Sequence, residues 1–217
     1  MFGKNKILKP EDHDGSYLDV VEIFPTIQGE GPLSGHGATF VRLGGCNLAC
    51  DFCDTQFDEY QNLHLKEIIE KLDDFSAKLV VITGGEPLRQ PIEKLCEELL
   101  RLNYHVQIES NGTIYRDLPK EVKIICSPKV TNGKYHQIRP DLLARILAFK
   151  FIISANQEEY SNISQVGQKE YDTPIYLQPM DEYDEVKNKK NQDLAVKLCQ
   201  EHNYILSLQI HKILKLK

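Results

Sequence analysis

Cys46, Cys50 and Cys53 fall within eight residues in a C-x3-C-x2-C pattern, and no fourth cysteine lies nearby. Thiolates this closely spaced hold iron–sulfur clusters or structural zinc. Closed sites of either kind use four protein ligands, so three in one loop leave one metal position open. An open position is where chemistry takes place. The remaining cysteines, Cys96, Cys126 and Cys199, sit singly inside apolar-periodic segments and read as buried structural thiols.

The elements that position this loop follow a βα alternation. Leu18–Phe24 is a strand that Pro25 should end, and Ala38–Leu43 is a strand leading straight into the cysteines. Between them, 26–37 carries four glycines and a proline. That composition fits either a loop open to close ligand approach or a plain turn. Beyond the cysteines, strands are expected at 78–83, 105–109, 122–126, 149–153, 174–178 and 204–210. Helices are expected at 65–72, 91–102, 140–147 and 191–202, with 155–172 ambiguous. The run Leu79-Val80-Val81-Ile82 has the character of a strand buried on both faces.

Such alternation implies an α/β fold with a largely parallel sheet. A closed eightfold barrel needs about 250 residues. At 217 residues, an incomplete TIM-like barrel of about six βα units fits better, in a single domain spanning 1–217. Residues 1–15 read as an extended or poorly ordered lead-in.

Ligands of parallel α/β folds bind at the carboxyl ends of strands. Small and polar residues recur at those ends: Thr83-Gly84-Gly85-Glu86-Pro87, Glu109-Ser110-Asn111-Gly112-Thr113, Ser127-Pro128-Lys129, Gln178-Pro179-Met180-Asp181 and Gln209-Ile210-His211-Lys212. They belong on one rim with the cysteine loop. Arg42 lies in an otherwise apolar strand, where it is costly unless paired. It either faces outward or turns inward as a fork for a substrate carboxylate.

Composition narrows the function classes. The net charge is −6 with the basic residues scattered, which argues against a nucleic-acid surface. No window approaches the roughly 18 apolar residues of a membrane span, and the N-terminus lacks the apolar run of a signal peptide. A cytoplasmic protein is expected, in which clustered cysteines serve metal or redox work.

The cysteine loop after an early strand, Gly-Gly-Glu-Pro after the next and a partial barrel resemble the radical S-adenosylmethionine (SAM) enzymes. Ile27-Gln28-Gly29-Glu30-Gly31, Phe40–Leu48, Cys53-Asp54-Thr55, Glu109–Thr113, Ser127–Lys129 and Ser207–Lys212 are similar to the 7-carboxy-7-deazaguanine synthase family. The matches run from about residue 22 to 212. The resemblance implies conversion of 6-carboxy-5,6,7,8-tetrahydropterin to 7-carboxy-7-deazaguanine with loss of ammonia, a step towards queuosine. It implies reductive cleavage of SAM on a 4Fe–4S cluster held by Cys46, Cys50 and Cys53.

By position, the resemblance assigns SAM contacts to Phe52, Cys53, Asp54, Gly85, Ser127, Pro128, Lys129 and the stretch Gln178, Pro179, Met180, Asp181. It assigns substrate contacts to Ile27, Gln28, Gly29, Arg42, Thr83 and His211, and a Mg²⁺ contact to Thr55. A hydroxyl is a hard oxygen donor suited to Mg²⁺. Ile210 stands where the family usually has Thr. A homodimer and a flavodoxin or ferredoxin electron donor are also implied. A glycyl-radical activase and a non-catalytic zinc-binding module are the competing readings.

Overall fold

The computed structural model describes residues 5–51, 53 and 55–216. One nine-stranded sheet dominates it, built from β1 (Tyr17–Ile27), β2 (Gly37–Leu43), β3 (Gln61–His64), β4 (Leu79–Gly84), β5 (His105–Ser110), β6 (Lys123–Cys126), β9 (Ile146–Ile153), β10 (Ile175–Pro179) and β11 (Ile205–Leu206). A separate two-stranded ribbon joins β7 (Val130–Thr131) to β8 (Lys134–Tyr135). The sheet order is β11-β10-β9-β6-β5-β4-β2-β1-β3. From β2 to β11 every neighbouring pair is parallel, whereas β1 pairs antiparallel with both β2 and β3.

Helices α1 (Leu65–Asp73), α2 (Glu93–Arg101) and α4 (Glu185–His202) cover one face, while α3 (Pro140–Leu143) and α5 (Ile210–Ile213) are single turns. The core lies under the long helices: Val80 and Ile82 of β4, Val106 and Ile108 of β5, and Phe149, Phe151 and Ile153 of β9 pack against Ile68, Leu95, Leu99 and Leu198. Period-two alternation then turns Phe40, Arg42, Gln107, Glu109, Lys150 and Ile152 to the opposite, concave face. That face encloses the cavity described below.

The crossover helices are fewer than the sequence pattern suggests. No helix separates β5 from β6, and only a short 3-10 turn, Glu158–Tyr160, interrupts the polar stretch before β10. The helix expected at 140–147 stops at Leu143, because Ile146 and Ala148 already pair with Ile124 and Ile125 of β6. Helix α4 begins earlier than expected, at Glu185, where the Asp184 side chain accepts from the Lys187 amide as an N-cap.

Two further departures shape the site. Pro25 does not end β1: β3 pairs only with Tyr17–Val20, so the missing N–H at Pro25 costs no bond to β3. The strand therefore continues to Ile27 and delivers Gln28 to the rim. The expected strand at 204–210 shortens to Ile205–Leu206, after which the chain crosses to the loop following β1. There the Gly31 amide donates to Ser207 Oγ at 2.9 Å, and the Ile210 amide donates to the Gly29 carbonyl at 3.1 Å.

Candidate active site at the carboxyl rim

The cysteine loop is fastened between two strand ends. The Glu86 amide donates to the Gly45 carbonyl at 3.0 Å, and the Gly85 amide donates to the Leu43 carbonyl at 3.2 Å. A Cβ on Gly85 would lie 1.9 Å from the Gly45 carbonyl oxygen, so any larger residue would push the two loops apart. Asn47 completes the attachment, donating to Thr113 Oγ1 at 2.8 Å and accepting from Asn111 Nδ2 at 2.9 Å.

Glu86 serves the same frame. It is fully buried and accepts from Ser110 Oγ at 2.8 Å, the Asn111 amide at 2.7 Å and the Leu88 amide at 3.0 Å. Burial raises its pKa, against the lowering effect of those bonds. It ties the end of β4 to the end of β5.

A cavity of about 360 Å³ opens over this frame. Cys46, Cys50 and Cys53 form part of its wall, with Ile27, Gln28, Arg42, Thr55, Thr83, Gly85, Ser127, Lys129, Gln178, Pro179, Met180, Asp181 and His211. The rim rule thus brings together most of the residues singled out from the sequence. Gly29 and Pro128 are set back from the wall, and Phe52 and Asp54 lie outside the described residues. Gly29 supports the wall from behind, since a Cβ there would lie 2.2 Å from His211 Nδ1.

Burial, the larger effect, raises the pKa of both the Cys46 and Cys50 thiols, Cys46 to about 12; neighbouring thiols add to the rise. Among the described residues, no three His, Cys, Asp or Glu side chains are grouped to hold a single metal ion. One zinc with Zn–S bonds of about 2.3 Å needs its sulfurs within about 4 Å of one another. A cubane offers each thiolate its own iron, so the ligands need not converge on a point. Three thiols on one cavity wall are the soft donors that an iron–sulfur cluster takes.

Arg42 faces the cavity and does not face outward. Its Nε donates to Glu22 Oε1 at 2.9 Å across the β1–β2 ladder, and its guanidinium carbon lies 5.6 Å from the centre of the Phe24 ring. Pairing and stacking offset the cost of partial burial and fix the plane of the fork.

One buried cation of the concave face was not singled out from the sequence. Lys150 on β9 is 6% exposed, and its ammonium donates to Glu109 Oε2 at 2.9 Å and also to Glu30. Gln209 Nε2 donates to the other oxygen of Glu30 at 2.9 Å, and Gln107 Nε2 donates to Glu109 Oε1 at 2.8 Å. Burial alone would lower the lysine's pKa, but the two carboxylates outweigh it and hold the ammonium charged. Burial likewise works to raise Glu30, yet Lys150 and Gln209 hold that carboxyl down at about 2. For Glu109 burial prevails, and its pKa is raised. The signal was present in the sequence: a lone lysine within Phe149–Ile153 obeys the same pairing rule that flagged Arg42.

Comparison with known proteins extends these observations. Residues 40–131 match the radical SAM superfamily. The chain is 52% identical over 222 residues to 7-carboxy-7-deazaguanine synthase of Rickettsia prowazekii, covering 99% of this chain and 95% of that protein. It is 36% identical to the synthase of the same name from Rhodospirillum rubrum, with both chains fully covered. The crystal structure of QueE from Escherichia coli shares the fold, with a TM-score of 0.71 at 23% identity over 89% of this chain and 94% of that one.

Proposed function

The chain belongs to the 7-carboxy-7-deazaguanine synthase family, and we propose on that premise that its rim cavity converts 6-carboxy-5,6,7,8-tetrahydropterin to 7-carboxy-7-deazaguanine with loss of ammonia, in queuosine biosynthesis. One observation carries the reading: the three thiols share a single cavity with the buried Glu30–Lys150–Glu109 group and Arg42. A radical-generating side and a polar substrate-holding side face each other there.

The radical SAM family implies a 4Fe–4S cluster and SAM, which together supply a carbon radical able to remove hydrogen from an unactivated position. Cys46, Cys50 and Cys53 would hold the cluster. Ser127, Lys129, Gly85 and the 178–181 stretch would bind SAM, with Pro128, Phe52 and Asp54 carried by the resemblance alone. The protein's own part is to bind, orient and exclude water.

A pterin presents an amino-pyrimidinone edge rich in N–H donors, and its partners should be buried acceptors. Glu30 and Glu109 meet that need, with Lys150 balancing their charge. Gln28, buried between them, donates to Glu109 Oε1 at 3.3 Å and accepts from the Glu30 amide at 3.2 Å. Arg42 suits the substrate carboxylate at the opposite end, with Ile27 and Thr83 along the side and His211 over the top. Thr55 would contribute its hydroxyl to a Mg²⁺ ion shared with that carboxylate.

Among the described residues no helix is long and apolar enough to cross a membrane. A cytoplasmic homodimer reduced by a flavodoxin or ferredoxin completes the proposal. Anaerobic incubation with 6-carboxytetrahydropterin, SAM and dithionite should give 7-carboxy-7-deazaguanine and 5′-deoxyadenosine. SAM cleavage only in the presence of a partner polypeptide would favour an activase instead. One zinc and no iron after anaerobic purification would remove the radical chemistry.

A further inference from the structure

The described chain begins with a strap laid against the cysteine loop. Ile7 pairs with Cys46 in a parallel bridge, and the Leu8 amide donates to the Cys46 carbonyl at 2.8 Å. A Cβ on Gly45 would lie 2.8 Å from Leu8 Cδ1 and 2.8 Å from Arg89 Nε, so strap and loop pack with no spare room. Two arginines clamp the arrangement. Arg89, 2% exposed, donates to Glu11 Oε1 at 2.7 Å and to the Gly44 carbonyl at 3.1 Å. Arg116 donates to the Glu11 carbonyl at 2.7 Å. Burying a guanidinium is costly unless it is paired, and here the pairing is to the strap and to the residue preceding the loop.

The strap ends at Asn5, which is 7% exposed and lies on the cavity wall with the three cysteines. Its Nδ2 has no hydrogen-bond partner among the described residues. An unmet buried donor is costly, so such a group in a ligand cavity calls for an acceptor supplied by what binds there. The acceptors expected at this wall are thiolate and sulfide sulfurs.

Resting on the radical SAM reading of the site, we propose that Asn5 donates its side-chain N–H to a sulfur of the cluster held by Cys46 and so sets the cluster's reduction potential. Hydrogen bonds to cluster sulfurs are one of the controls on that potential. A donor stabilises the more negative, reduced cluster more than the oxidised one. Asn5 therefore makes reduction easier, and the strap is the element that brings it to the loop.

The test uses anaerobically reconstituted holoenzyme and a reductive titration followed by electron paramagnetic resonance. Asn5→Leu should load the same iron as the unaltered protein and shift the midpoint to lower potential. Asn5→Asp, which keeps the shape but replaces the donor by a negative acceptor, should shift it further down. It also serves as the second variant if Asn5→Leu loads poorly. An unchanged midpoint with full iron in either variant overturns the proposal. So does a weakened SAM or pterin affinity at unchanged potential, which would assign the donor to a ligand. Failure of the functional reading looks different: the unaltered protein would then form no deazaguanine, whatever its potential.

Discussion

Lys150 reaches from β9 past the intervening β6 to place its ammonium 2.9 Å from Glu109 of β5, while the same nitrogen engages Glu30 beyond β1. One cation thus links three parts of the chain across the concave face. Two carboxyl groups share one lysine there, and their oxygens give the cavity wall acceptor capacity. The arrangement favours a ligand that donates hydrogen bonds.

Glu30 is held at about 2 against an ordinary 4.5, so its contribution is fully present above pH 4.5 and is lost as pH falls through about 2. A depression of this size corresponds to about 3 kcal/mol. Glu30→Gln, which mimics the protonated carboxyl, should lower the urea midpoint at pH 6. The gap from the unaltered protein should close as pH falls towards 2. A gap of constant size over that range would show that the Lys150 pairing does not set the carboxyl's pKa.

Glu109→Gln should weaken carboxypterin binding about tenfold or more, since a hydrogen bond to a charged group is worth about 1.5–3 kcal/mol. SAM affinity should stay the same. Isothermal titration with each ligand separates the two. Equal losses for both would place Glu109 in the frame of the cavity and not at its substrate wall.

Arg42→Gln should raise KM for the carboxylated pterin about tenfold or more, because one charged, forked partner is lost. Binding of a pterin lacking the carboxylate should be unaffected. The difference between the two ligands is the measurement. If both weaken alike, Arg42 holds the β1–β2 ladder through Glu22 and does not read the carboxylate.

Cys46→Ala, Cys50→Ala and Cys53→Ala should each abolish cluster-bound iron and 5′-deoxyadenosine formation. Cys199→Ala, a half-buried thiol on α4, should leave both unchanged. Iron analysis and product chromatography read the result. Full turnover by Cys50→Ala would refute the cluster assignment.

Gly29→Ala introduces a methyl group 2.2 Å from His211 Nδ1 and 2.9 Å from the His211 amide. Overpacking of this kind costs about 1–3 kcal/mol. Hydrogen exchange should quicken from 205 to 216 while α2 and β4 stay protected. Unchanged exchange in the chain end would mean that this segment yields at no cost.

The rim was legible because parallel strands end on one side, so each polar strand end could be assigned to the site from local pattern alone. Cys46, Thr83, Ser127 and Gln178 meet on that basis. The charged group on the concave face was not legible in the same way. Glu30, Glu109 and Lys150 come together through sheet order, and periodicity within one segment says nothing of which strands become neighbours. The strap was hidden for a related reason. Residues 5–11 have no periodicity of their own and take an extended path because Arg89 and Arg116 hold them. At the other end, 204–210 reads as one strand, but bonds to Gly29 and Gly31 draw the chain away from the sheet.

The pairing of Lys150 with Glu30 spans 120 residues, which sets an order of events on the ribosome. At about 5–20 residues per second, Glu30 waits roughly 6–24 s after its own synthesis before its cation has been made. The parts that frame the cysteine loop, up to Arg116, all precede Lys150 in synthesis. A nascent chain therefore has the means to shape its cysteine loop while the wall that carries Glu30 and Glu109 still lacks its cation, and that wall closes only once Lys150 has arrived.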